Sequence, residues 1–86
     1  MLEIYFKPSF IKSLHKYDDS FVDEIIEKIE LFKNPENHKY LKVHKLHGRL
    51  SGVFSFSVNY KVRIVFKYMS KNEVVFMVIG DHEIYK

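Results

Sequence analysis

Near the middle of the chain, apolar and polar residues alternate in two neighbouring stretches. Phe54, Phe56 and Val58 interleave with Ser55, Ser57 and Asn59, and Val62, Ile64 and Phe66 interleave with Lys61, Arg63 and Lys67. A period of two places one apolar and one polar face on a strand, the signature of a half-buried sheet. The pattern predicts a strand reaching Val58, a turn at Asn59-Tyr60, and a return strand from Lys61 to about Met69. Phe56 and Ile64 should lie in the core, and the open face should present Ser55, Ser57, Lys61, Arg63 and Lys67. After a second turn at Ser70-Lys71-Asn72, Val74 to Ile79 is a continuous apolar run rich in β-branched residues. Such a run predicts a central strand buried on both faces, which completes a three-stranded antiparallel meander.

The first part of the chain has a different period. Leu2, Ile4 and Phe6 alternate with Glu3, Tyr5 and Lys7 as a short strand stopped by Pro8, a residue that also suits a first helical turn. Phe10, Leu14 and Tyr17 then recur at helical spacing, with Ile11 beside them, so a helix is predicted over 8–17. Asp18, Asp19 and Ser20 supply capping side chains, and Phe21, Ile25, Ile29 and Phe32 form the buried stripe of a second helix ending at Asn34-Pro35. Pro35 to Lys42 is polar and aperiodic and reads as a loop, and Gly48 and Gly52 bracket the entry to the next strand. The expected fold is α+β: an N-terminal strand, an α-helical hairpin, then the three-stranded meander, with residues 1–86 forming a single domain whose helices cover one face of a mostly antiparallel sheet.

Composition narrows the setting. With 86 residues, 47% hydrophobic and 16% aromatic, the chain supports one core and no second. The absence of cysteine rules out disulfides and thiolate zinc sites and fits a reducing cytoplasm. No apolar run approaches the roughly 18 residues of a membrane span, and the start MLEIYFKP lacks the features of a signal peptide. The net charge of +3 conceals an asymmetry: residues 1–37 hold five Lys/Arg against eight Asp/Glu, whereas residues 38–86 hold nine against three and carry four of the five histidines. Clustered positive charge of this kind attracts polyanions, RNA and DNA foremost.

The chain has no phosphate-cradling glycine loop, HExxH or CxxC, which removes support for most enzyme classes. What remains is His44, His47 and His82, Arg63, Tyr85 and the lysines 42, 45 and 61. Imidazole titrates near about pH 6.5, so two histidines can divide the base and acid roles of RNA transesterification without a metal ion. Arg63 can hold non-bridging phosphate oxygens bidentately, or instead bond loop carbonyls at the sheet edge. His15, His38 and His47 read as polar surface, and the histidine spacing matches no metal motif.

Three segments together resemble the RelE/ParE superfamily of toxins from type II toxin–antitoxin pairs, and the RelE/StbE-like mRNA interferases within it. They are the run His44-Lys45-Leu46-His47-Gly48-Arg49-Leu50-Ser51-Gly52, the strand ending Val62-Arg63-Ile64-Val65-Phe66, and the ending Ile79-Gly80-Asp81-His82-Glu83-Ile84-Tyr85. The resemblance implies a ribosome-dependent endoribonuclease that uses the message's own 2′-hydroxyl as nucleophile, needs no cofactor, and is held in check by a cognate antitoxin. By position it implies catalytic roles for Arg63, His82, Tyr85 and His44, with Lys42, Lys45, Arg49 and Lys61 contacting RNA. The chain also departs from the family pattern. Ser55 and Ser57 stand where several interferases have an arginine or histidine, and Lys61 and Val62 replace an aspartate-tryptophan pair. The ParE side of the superfamily inhibits DNA gyrase without cutting RNA, so a gyrase inhibitor is the alternative expectation, followed by an inactive RNA- or partner-binding relic.

Overall fold

The structure, a computed structural model, describes residues 1–48 and 52–81. Strand β1 (Glu3–Phe6) leads into helix α1 (Pro8–Leu14), and helix α2 (Asp19–Phe32) follows after a four-residue turn, His15-Lys16-Tyr17-Asp18. A single 3-10 turn over Pro35–Asn37 begins the connection to β2 (His44–Lys45), β3 (Phe54–Ser57), β4 (Arg63–Ser70) and β5 (Glu73–Gly80). The sheet order is β1-β5-β4-β3-β2; β1 runs parallel to β5 and every other pair is antiparallel. The α+β class and the meander agree with the sequence pattern, but the sheet has five strands. β2 is only two residues long, too short for alternation to reveal it. α1 also ends at Leu14, three residues before the predicted limit.

Helix α2 starts where its cap chemistry dictates. Asp18 stands at the N-cap and its Oδ1 accepts from the Phe21 N–H and the Ser20 hydroxyl, each at 2.9 Å. The Phe21 N–H first, and the Ser20 hydroxyl second, hold the Asp18 carboxyl below its ordinary pKa. The helix lays Ile25, Ile29 and Phe32 against a core that also takes Phe10 from α1 and Phe56, Ile64, Phe66, Val74, Phe76 and Ile79 from the sheet. Phe56 and Ile64 are fully buried, as the alternation predicts.

The last strand is central but is not sealed on both sides. Val74, Phe76 and Ile79 are buried under the helices, while Val75, Met77 and Val78 stay half-exposed on the face that no helix covers. The run lacks alternation for a structural reason. Val65 pairs with Val78 but Phe66 with Phe76, so Met77 is the extra residue of a bulge, and Phe76 and Ile79 share one face despite their odd spacing.

β1 accompanies β5 only as far as Phe76, and α1 takes over from there. The Ser9 hydroxyl donates to the Met77 carbonyl at 2.6 Å, and the Ile79 N–H donates to the buried Ser13 Oγ at 3.1 Å. Two serines one helical turn apart thus replace the missing strand.

Two outcomes test this account. Ser13→Ala leaves the Ile79 N–H buried without an acceptor and should cost about 1–3 kcal/mol in denaturant unfolding; an unchanged midpoint would show that this edge of β5 does not need α1. Asp18→Asn keeps a capping acceptor but removes the titration. Because the folded carboxyl titrates below its unfolded value, its stabilisation is complete above that value, near about pH 3.9, and is lost as pH falls through the folded pKa. The variant should therefore unfold less steeply in acid, with little change at neutral pH.

Candidate functional site on the helix-free face

The segment after α2 is more ordered than its polar composition suggests. His38 Nε2–H donates to the Phe32 carbonyl at 2.8 Å and its ring stacks on Phe32 at 4.6 Å, so this histidine clips the loop to the helix and is not loose polar surface. Leu41 is buried, and its carbonyl accepts from the Ser57 N–H at 2.8 Å. Lys42 then adopts a left-handed conformation (φ 59°), which costs a non-glycine residue about 1–2 kcal/mol and is sustained by these anchors on either side. That reversal brings His44 alongside Ser55, and β2 follows.

Strand register assembles the face. His44 is opposite Ser55, Ser55 opposite Val65 and Val65 opposite Val78, while Ser57 is opposite Arg63 and Arg63 opposite Gly80. Paired residues share a face, so His44, Ser55, Ser57 and Arg63 all belong to the side away from the helices. Two strand spacings and two residues separate the backbones of His44 and Arg63, roughly 12 Å, a span that side chains of these lengths can close around a phosphodiester. Lys45, one residue on, is on the opposite side of β2 from His44, opposite Phe54.

His44 is held in a defined tautomer. Its Nδ1 lies 2.9 Å from the Lys42 carbonyl, which can only accept, so Nδ1 carries the proton and the lone pair of the neutral ring is on Nε2. Nε2 is 3.5 Å from the Ser55 hydroxyl, at the outer limit of a hydrogen bond and readily exchanged for a substrate hydroxyl. Ser55 itself is fully buried, which corrects its placement on an open polar face. Beside it Leu46, Val53 and Val65 form a small apolar cluster with Met77 and Val78, so this half of the face is hydrophobic. The basic, hydroxyl-bearing area is confined to Ser57, Arg63, Lys67 and the turn.

Arg63 is half-buried and makes the loop-carbonyl bond that the sequence left open to it. Its Nη1 donates to the Asn59 carbonyl at 2.9 Å, which uses one of the five N–H donors a guanidinium carries. The Asn59 side chain accepts from the N–H groups of Lys61 and Val62 at 2.8 and 2.7 Å, so the β3–β4 turn is fixed from both sides. Lys42, His47 and Lys61 are exposed. Arg49, His82 and Tyr85 lie outside the described residues. The described chain ends at Asp81, just past Gly80, the partner of Arg63; near Tyr17 the Asp81 carboxylate adds to the burial that raises that phenol's pKa.

Sequence reasoning passed over Tyr40 and Tyr60. They are 70% and 90% exposed and line one groove of about 210 Å³ with Lys28, Lys42, Ser57 and Asn59. The available signal was an aromatic residue inside each of two polar turns.

This arrangement of strands and helices is the fold of the RelE/ParE superfamily of toxins. A single-residue variant of YafQ from E. coli superposes with a TM-score of 0.73 over 100% of both chains at 15% identity. The YoeB–YefM complex from Staphylococcus aureus gives 0.72 over 95% of this chain and 98% of that one, at 21% identity. The RelBE2 toxin–antitoxin complex from Mycobacterium tuberculosis gives 0.71 over 94% and 98%, at 17% identity. No family model matches the chain, and no curated protein matches its sequence.

The clamp on His44 has a direct readout. Nitrogen NMR of the imidazoles above pH 7 should find His44 as the Nδ1–H tautomer; the Nε2–H form would remove the Lys42 bond and the orientation derived from it.

Proposed function

We propose that this chain is the toxin of a toxin–antitoxin pair and a ribosome-dependent endoribonuclease. The observation that carries the reading is the shared helix-free face of His44 and Arg63, within a fold shared with solved toxins of toxin–antitoxin pairs. In the proposed reaction, the 2′-hydroxyl of a message nucleotide loses its proton to His44 Nε2 and attacks the adjacent phosphorus. A bond forms from O2′ to phosphorus and the bond to the 5′-oxygen breaks, leaving a 2′,3′-cyclic phosphate and a 5′-hydroxyl. Arg63 stabilises the negative charge that accumulates on the non-bridging oxygens, with one donor anchored on the Asn59 carbonyl. The proton for the leaving 5′-oxygen is assigned to His82, and Tyr85 to stacking on a base, both by resemblance. Lys42, Arg49 and Lys61 are assigned to the RNA backbone; Lys45, on the other side of β2, is the weakest member of that set.

The antitoxin partner is inferred from the YoeB–YefM and RelBE2 assemblies, in which a toxin of this fold is bound by its antitoxin. The excess of positive charge in residues 38–86 suits an acidic binding segment. This reading places the protein in the cytoplasm, with the ribosome and its message.

Arg63→Ala and His82→Ala should each leave a folded, antitoxin-binding protein whose mRNA cleavage, read by primer extension on translated message, falls about 10²-fold or more. Tyr85→Ala should lose less. A comparable loss in His44→Ala would support the two-histidine scheme; little loss would return the base role to a lysine or to the ribosome. Gyrase supercoiling measured in parallel decides between target classes, since intact message with blocked supercoiling would replace the nuclease with a gyrase inhibitor.

A further inference from the structure

The groove between Tyr40 and Tyr60 has a construction that the reaction scheme does not use. Single exposed aromatic residues are ordinary, but here two of them, Tyr40 and Tyr60, flank one concavity. Both stand on backbone that is tied down. Tyr40 precedes the buried Leu41, whose carbonyl is bonded to Ser57 of β3. Tyr60 sits at the tip of a turn held by the Asn59 side chain and by Arg63. The rings are thus presented on fixed supports, so little backbone freedom is lost when they are covered. The charged residues of the lining are Lys28 and Lys42, beside Leu41, Ser57, Val58 and Asn59, and no carboxylate lines the groove among the described residues. Lys28 keeps a long, weak ion pair with Glu24 at 4.0 Å, and Lys42 is exposed. Lys61 adds a further positive charge next to Tyr60.

We infer that this groove binds single-stranded RNA, with Tyr40 and Tyr60 stacking on unpaired bases and Lys42 and Lys28 meeting the phosphates between them. Alternating aromatic faces and positive charge is the chemistry that holds unpaired nucleic acid without reading its sequence. Because Arg63 bonds the carbonyl of Asn59, a residue of the groove lining, the same guanidinium couples this binding surface to the reacting phosphate. The inference rests on the endoribonuclease reading for its biological setting, but the groove can be tested apart from it.

The test uses the full wild-type chain, with Arg63 and its bond to Asn59 intact, without ribosomes, so that a ribosome-dependent nuclease leaves the probe uncut. Fluorescence anisotropy follows a labelled oligouridylate of about twelve nucleotides. Tyr40→Ala and Tyr60→Ala should each weaken binding about tenfold, while Tyr→Phe at either position retains it, since stacking needs the ring and not the hydroxyl. Lys42→Ala should lower the salt dependence by about one counterion without changing base preference. Both tyrosines are exposed, so circular dichroism should be unchanged. Unaltered affinity in the two Tyr→Ala variants overturns the inference while leaving the nuclease reading intact. Tyrosine-dependent RNA binding in a protein that fails to cleave translated message keeps the inference and removes the nuclease. Absence of RNA binding by the unsubstituted protein overturns it, and loss of antitoxin binding alone in the Tyr→Ala variants overturns it and makes the groove a protein-docking surface.

Discussion

The ring of Phe32 is where the parts of this protein meet. It closes α2, stacks on Phe56 of β3 at 4.5 Å, and contacts Phe66 of β4 and Phe76 of β5 edge-on at 4.9 and 5.4 Å. On its remaining side it carries His38. Each such aromatic pair adds about 0.5–1.5 kcal/mol beyond area burial, but geometry matters more here than the sum. One side chain sets the height of the helix over three strands and, through His38, the starting point of the loop that delivers Leu41, Lys42 and His44 to the other face. The candidate face is therefore positioned from beneath, by packing on the side of the sheet it does not share.

The two faces divide the chain's chemistry. Residues 1–37, net negative, supply the first strand and the helices that seal the core, whereas the basic remainder builds the meander and the loops around the open face. On that face the apolar cluster of Leu46, Val53 and Val65 lies next to His44, and the polar, basic area begins at Ser57 and Arg63. In the proposed scheme the histidine beside these apolar neighbours is the base and the arginine at the turn is the anion clamp.

Much of this architecture was legible because it depends on periods and caps. Phe56 and Ile64 alternate into the core, Asp18 stands where a helix must begin, and the stripe of Ile25, Ile29 and Phe32 faces inward. What escaped were features that break a period or consist of too few residues. The bulge at Met77 erased alternation in β5, and β2 has only two residues. Ser55 misled because a hydroxyl pattern cannot distinguish a side chain facing water from one buried against an imidazole. Arg63, His44 and the lysines were visible as candidates, and loop carbonyls were one of the partners expected for Arg63; the Lys42 carbonyl that orients His44 was not visible, since it is a backbone oxygen that no residue type announces.

The substitution of α1 for a strand along the end of β5 also determines where this sheet can grow. Beyond Phe76, the outward carbonyl of Met77 and the N–H of Ile79 are already engaged by Ser9 and Ser13, so that stretch offers no template to an incoming chain. Among the described residues, the margins of the sheet are β1 on one side and the two-residue β2 on the other. Extension of the sheet by a foreign segment is thereby directed to β1, remote from Arg63, and a chain docked there would leave the basic face uncovered unless it also wrapped around the molecule.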